Sequence, residues 1–392
     1  MVISIISYSA IADDAPDSEK TIDFFGYYEN QGYIRYNKND DKLFLLDYNK
    51  LRLDLKAAIS EKVTFNADII FMTYHGSTSI DYLEYLPSTI TGSIPPETAE
   101  MLKTELENTY FINDAYVTVY LEGFSVRIGK QQIPWGTGYT WNPTDTFNSK
   151  NQLDPTYEKE GVNAITVDIP WGADGSLTGI AATLAKTENP SFAAKLKKNI
   201  AGFDLSVSYQ YLSEINLNPE TLSSVEQQRN IIGFDFTGEI FTLGFWGEGT
   251  INFPCNDSFL KDNYSEFLLG MDYTFQNELY LMAEYLHRTQ GAESSSEYNL
   301  ADFMKVLYGE TTNIGADYIA CGISYPLTDY FKIQMYSIMN LNDESWIMIP
   351  WLIWDAEENL EINFSLNLFF GKNGTEYGEY PHGGLIRCRV YF

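Results

Sequence analysis

Apolar and polar residues alternate strictly along several stretches of the chain. In "FDLSVSYQYL", Phe203, Leu205, Val207, Tyr209 and Tyr211 are interleaved with Asp204, Ser206, Ser208 and Gln210. In "LEINFSLNLFF", Leu360, Ile362, Phe364, Leu366 and Leu368 are interleaved with Glu361, Asn363, Ser365 and Asn367. "KVTFNADIIF" (62–71) and "YFKIQMYSIMN" (330–340) repeat the pattern. A period of two sends alternate side chains to opposite faces of a strand. Strands of soluble sheets average about five or six residues. These segments run nearer the roughly nine to eleven that a tilted membrane-spanning strand needs.

The connections between such segments alternate in length. Short turns fall near residues 59–62, 121–124, 171–176, 200–203, 237–240, 275–278, 326–329 and 355–359. Longer, more polar connections fall near 37–41, 75–110, 132–160, 187–190, 214–228, 252–263, 290–312, 342–345 and 371–383. This spacing predicts an all-β fold, a transmembrane antiparallel β-barrel of about 18 strands, with 16 the nearest alternative. Short periplasmic turns and long extracellular loops are the pattern of bacterial barrels. A soluble sandwich is the competing architecture, and it seldom repeats strands this long. Two loops carry helical signals, over 95–108 and over 299–310, the second opening at Asn299 and closing at Gly309.

Composition sharpens the picture. The 392 residues include 29 Tyr and 24 Phe, yet mean hydropathy is −0.23. No run of about twenty apolar residues exists, which excludes a helical membrane protein. The net charge of −29 argues against nucleic acid as a partner, because phosphate contacts need a basic face. Cys255, Cys321 and Cys388 are far apart, and His75, His287 and His382 are scattered. That spacing suits neither a disulfide framework nor a zinc site, and no CxxCH is present, so no cofactor is expected. Residues 1–12, "MVISIISYSAIA", end in an A-x-A pattern before the polar "DDAPDSEK" and read as a signal-peptide remnant. Residues 13–392 then form a single barrel domain exported to the Gram-negative outer membrane.

If the apolar faces meet lipid, the opposite faces line a lumen. That places Arg35, Arg52, Asp54, Asp68, Arg127, Asp204, Asp272, Glu284, Arg288, Lys332, Glu361, Arg387 and Arg389 inside. A Lys or Arg turned to lipid at the bilayer midplane costs roughly 2–4 kcal/mol. The inward set is either a hydrated wall of mixed sign or a packed network of ion pairs. About eighteen strands leave room for an aqueous channel.

The chain ends "GGLIRCRVYF", with Ile386, Cys388, Val390 and Phe392 on one face. This strand resembles the C-terminal signal of outer-membrane proteins, in which Val390 and Phe392 would be read by the barrel assembly machinery. The resemblance implies contact with outer-membrane lipid and lipopolysaccharide.

The stretch at 132–160 lies between two strand-like segments and is the third outward loop. Pro134, Pro143 and Pro155 stiffen it. Trp135, Tyr139, Trp141 and Phe147 offer broad surfaces to an inner wall, and Asp145 and Asp154 carry negative charge. These features predict a constriction loop folded into the barrel; the competing placement is over its mouth. Gly129-Lys130-Gln131, Trp135-Gly136, Asn142-Pro143-Thr144-Asp145 and Asp154-Pro155 together resemble a motif of porin-like families, the alginate-export-like and related barrels. The likeness is confined to this stretch and implies a porin-like barrel, with a homotrimer by analogy. Inward Asp and Glu offset the arginines, so it transfers no polyuronate substrate.

The function expected is a channel for passive diffusion of small polar solutes or ions. The alternatives are a scaffold sheathing a periplasmic partner, such as a multihaem cytochrome, and an outer-membrane hydrolase. No GxSxG-type motif supports the last, and the chain is expected not to be an enzyme.

Overall fold

A computed structural model describes the chain except residues 1–20, 38–40, 93, 149–159, 219–222, 256–262 and 308. The signal-peptide reading and Asp154 therefore lie outside the described residues.

Among the described residues twenty strands follow in order. The first five are β1 (Ile22–Asn37), β2 (Lys42–Ser60), β3 (Val63–Gly76), β4 (Ser79–Asp81) and β5 (Lys103–Glu105). Then come β6 (Thr109–Leu121), β7 (Phe124–Gln131), β8 (Val162–Trp171), β9 (Gly175–Thr183) and β10 (Ser191–Ile200). The next five are β11 (Phe203–Leu217), β12 (Ser224–Ile240), β13 (Leu243–Pro254), β14 (Tyr264–Thr274) and β15 (Tyr280–Arg288). The last are β16 (Asp317–Pro326), β17 (Phe331–Asn340), β18 (Trp346–Glu357), β19 (Leu360–Phe370) and β20 (Gly383–Tyr391). All but β4 and β5 join one 18-stranded antiparallel sheet. β1 pairs with both β2 and β20, and Gly26 and Phe392 exchange backbone hydrogen bonds at 3.0 and 3.1 Å. The sheet thus closes on itself and leaves no edge. The expected barrel and strand number are both observed.

Alternation makes the two faces. In β14, Phe267, Leu269 and Met271 are exposed outward, while Leu268 between them is 1% exposed and points in. Aromatic residues stand on the outer surface near both ends: Tyr36, Tyr110 and Phe192 at the loop end, Trp171, Phe241 and Tyr330 at the turn end. Tight hairpins serve the turn end. Ala201 and Gly202 have φ of 54° and 85°, the left-handed pair that a two-residue hairpin requires. No helix among the described residues is long and apolar enough to cross a membrane.

All the long connections leave from the other end. Counted from the N-terminus, L2 is 77–108, L3 is 132–161, L7 is 289–316, L8 is 341–345 and L9 is 371–382. L2 holds α1 (Ser88–Thr91) and α2 (Pro96–Met101), and L7 holds α3 (Leu300–Leu307). The α3 helix opens as expected: the Asn299 side chain accepts from Ala301 N at 2.9 Å. The helix expected over 95–108 is shorter. At Leu102, which is 3% exposed, the chain drops into a cluster with Leu86, Ile90, Phe303, Met304 and Ile314. Residues 103–105 then pair with β4. Tertiary burial here outweighs helix propensity. His75, expected in a loop, lies in β3.

Candidate functional site

The described part of L3, residues 132–148, turns into the barrel and lies along its inner wall. Trp135 and Phe147 meet edge to face at 6.0 Å. They are buried with Ala164, Ile180, Ala182, Ala193, Leu212 and Ile231, which come from β8 to β12. The wall alanines leave the room that two large rings need. Further along, Trp141 is 4% exposed and joins Trp246, Leu268 and Tyr318 of β13, β14 and β16.

Between these anchors the loop backbone is held by two wall carboxylates. Glu248 Oε1 accepts from Thr137 N and from Gly138 N, the second at 2.7 Å. Its Oε2 accepts from Thr144 N at 3.1 Å and Thr144 Oγ1 at 2.8 Å. Glu284 Oε1 accepts from Tyr139 N at 2.6 Å and Trp246 Nε1 at 2.7 Å, and its Oε2 from Thr140 N at 2.7 Å. Both side chains are buried. Several hydrogen bonds converge on each carboxyl. That offsets the cost of removing it from water.

Glycine makes the approach possible. Gly136 has φ of 90°, and a Cβ there would stand 2.8 Å from Glu248 Oε1. Gly136→Ala should therefore unseat this turn and destabilise it by about 1–3 kcal/mol through left-handed strain, read as a lower thermal midpoint; an unchanged midpoint would count against the turn. Asp145 is buried and accepts from Asn148 N at 3.2 Å within L3, so it caps the loop rather than facing open space.

The other inward residues concentrate on the remaining wall. Arg35 is 2% exposed; it pairs with Glu84 of L2 and lies over the Phe44 and Tyr85 rings at 4.5 and 5.0 Å. Arg52 pairs with Asp54 and Asp68, each at 2.8 Å, and Asp68 also accepts from Asp114 N at 3.0 Å. Arg387 donates to Gln31 at 2.7 Å, and Arg389 pairs with Glu29 at 2.5 Å. Their guanidinium groups lie over Trp351 and Tyr27 at 5.5 and 4.6 Å. Arg127 lies over Tyr116 at 5.0 Å. Elsewhere, Asp204 pairs with Lys197 at 2.7 Å and Arg288 with Glu266 at 2.8 Å. Asp272 accepts from Tyr280 at 2.9 Å, and Glu361 from Asn363 at 2.7 Å. Lys332 opens β17 beside Phe331 and is half-buried. The arginines of β1, β2 and β20 thus occupy one wall, and L3 covers the wall from β8 to β16. At the chain end Val390 and Phe392 are exposed on the outer surface.

Glu248 was not singled out from the sequence. Glycines flank it in "WGEGT", hiding the alternation of Trp246, Glu248, Thr250 and Asn252, all buried, against Gly247, Gly249 and Ile251. That inward row was the available signal.

The loops also hold one another. Asn313 of L7 is fully buried. Its Oδ1 accepts from Trp141 Nε1 of L3 at 2.7 Å, and its Nδ2 donates to Tyr377 of L9 at 3.0 Å. Glu379 of L9 accepts from Ser88 N of L2 at 2.9 Å, and Tyr85 meets Tyr380 edge to face at 5.5 Å. Among the described residues no cluster of three or more His, Cys, Asp or Glu is arranged for a metal.

No protein-family model matches the sequence, and no curated protein matches it. Solved structures do match the fold. OccK8 (OprE) of Pseudomonas aeruginosa is similar with a TM-score of 0.58 at 10% identity, over 95% of this chain and 98% of that one. OccAB4 of Acinetobacter baumannii is similar with a TM-score of 0.57 at 12% identity, over 95% and 98%. The outer membrane protein opdK of Pseudomonas aeruginosa is similar with a TM-score of 0.58 at 7% identity, over the same shares.

Proposed function

We propose that this chain is an outer-membrane channel of porin type through which small polar solutes diffuse passively. The observation that carries the reading is L3 seated inside a closed 18-stranded barrel, opposite a wall bearing Arg52, Arg387 and Arg389. On this reading the wall charges line the pore, and Trp135, Tyr139, Trp141 and Asp145 belong to a constriction loop that narrows it from one side. Selectivity arises from the charges and hydrogen-bonding groups left facing the aqueous path. The outer apolar surface and its two aromatic belts meet lipid and lipopolysaccharide, in keeping with the outer-membrane assignment of opdK. Val390 and Phe392 serve as the signal to the assembly machinery.

A sheathing scaffold is disfavoured, because L3 and the interlocked L7 and L9 occupy space that an inserted partner would need. A homotrimer would cover part of the outer surface, and the native mass of the purified protein decides it. Protein folded in a planar bilayer should give stepwise conductance, with a reversal potential in a salt gradient reporting ion preference. Folded protein that stays silent would overturn the channel reading.

A further inference from the structure

Three neighbouring strands interrupt the apolar outer surface. The outward row of β1 carries Asn30, that of β2 carries Asp47 and Asn49, and that of β3 carries Thr73 and His75. The register sets them side by side: Asn30 faces Asn49, Asn49 faces Thr73, and Asp47 faces His75. Apolar side chains of the same rows enclose them. On β1, Ile34 and Tyr36 stand exposed above Asn30, and Phe24 and Tyr28 below it. On β2, Leu43 and Leu45 stand above Asp47, and Leu53 and Ile59 below Asn49. Tyr36 belongs to the aromatic belt at the loop end, so the stripe begins within the hydrocarbon layer. The outward row of β19, from Leu360 to Phe370, is apolar throughout.

The stripe satisfies itself only in part. Asn30 Nδ2 donates to Asp47 Oδ2 at 2.9 Å and to Asn49 Oδ1 at 3.0 Å. Tyr28 Oη donates to Asn49 Oδ1 at 2.6 Å, and Asn49 Nδ2 to Thr73 Oγ1 at 3.3 Å. Among the described residues no cation pairs with Asp47, Asn30 Oδ1 accepts from no donor, and the His75 ring has no hydrogen-bond partner. Acceptors and donors are both left over. Lipid tails can engage neither, so a polar group turned to them goes uncompensated. Beside the stripe the outer face is indented. A groove of about 1120 Å³ runs from Asp47 and His75 across β1 and β20 towards β17. Gly32 and Gly384 line it without side chains, next to the exposed Ile34, Leu45, Phe364 and Ile386.

We propose that this face binds a second copy of the chain within the membrane, with the polar stripe at the centre of the contact and the groove taking apolar side chains of the neighbour. Assembly about an axis normal to the bilayer keeps every residue at its depth, so each copy brings its stripe to the same layer. The stripe suits such a partner because it carries both halves of a hydrogen bond. Its carboxylate and amide oxygens accept, and its amide, hydroxyl and imidazole groups donate. Polar side chains within a membrane contribute to association through such bonds between neighbours. The inference rests on the barrel lying in the outer membrane and not on conduction.

Energy transfer between full-length chains tests this, one population carrying a donor dye and the other an acceptor dye on the N-terminal amine. In vesicles of phosphatidylethanolamine and phosphatidylglycerol, transfer should rise and saturate as the protein-to-lipid ratio increases. Asp47→Leu combined with Asn49→Leu should leave a folded barrel and raise the dissociation constant about tenfold, as expected for two or three lost bonds between copies. Leu269→Ala, on the outward row of β14, should keep the wild-type curve. Should the double variant fail to fold, Asn49→Leu and Thr73→Val are read singly, each weakening association. Transfer no greater than that of randomly spread barrels, or leucine variants that associate like wild type, would overturn the proposal. So would a native mass showing one copy bound to a different protein. A silent protein that associates sinks the channel reading alone, and a conducting protein that stays single sinks this one alone.

Discussion

Replacing Glu248 by alanine should raise the unitary conductance while leaving the barrel folded. The substitution removes the acceptor for Thr137 N, Gly138 N, Thr144 N and Thr144 Oγ1 at one stroke. Each buried donor left without a partner costs roughly 1–3 kcal/mol. L3 then gains more by moving into water than by staying on the wall. The strand itself is held by backbone pairing to β12 and β14, which the substitution does not touch. Glu248→Gln, with one acceptor oxygen instead of two, should fall between. Glu284→Ala should act in the same direction, and the double variant should gain less than the sum, since both carboxyls grip one loop. A folded Glu248→Ala protein with wild-type conductance would show that L3 does not limit the flow.

The second large effect is a contrast between adjacent leucines. Leu268 is 1% exposed beneath Trp141, and Leu269 is 60% exposed on the outer surface. Leu268→Ala should cost about 2–5 kcal/mol, the range for a cavity that cannot fully collapse. Leu269→Ala should cost little, because lipid fills the vacated space. Leu269→Arg should cost roughly 2–4 kcal/mol if the residue lies near the bilayer midplane. Chemical unfolding from lipid vesicles measures all three. The reverse ranking of the two alanine variants would mean that the strand faces the other way, since a slip of one residue exchanges the two faces.

These two predictions mark what was legible in the sequence and what was not. Period-two alternation is local, so β11, β17 and β19 and the facing of Arg52 or Asp204 could be read from ten neighbouring residues. The bounds of L3 were legible for the same reason, through Pro134, Trp135 and Trp141. What holds L3 was not. Glu248 and Glu284 lie 104 to 145 positions from the amides they accept from, and no periodicity links the two. Glu284 was placed inside by alternation, without its partners. The burial of Glu376 in L9 was hidden in another way: "GTEYGEY" has the glycines and charges of a solvated loop. That burial depends on Tyr318, Asn340 and Asp343, each remote in sequence. The helix expected over 95–108 stops short because Leu102 completes a cluster with L7, a contact no local pattern reveals.

The same long separations constrain the order in which the molecule is built. The strands from β6 to β9 can zip as local hairpins, but L3 has nothing to grip until β13 and β15 are in place. The β1–β20 seam joins residues as far apart as Tyr27 and Tyr391, so its loop-closure entropy is the largest in the fold. During biogenesis L3 must therefore remain unseated while the later strands form around it. Deleting its anchors should leave the rate of barrel closure unchanged and abolish only a subsequent docking phase, visible as the slow burial of Trp135 and Trp141 in tryptophan fluorescence.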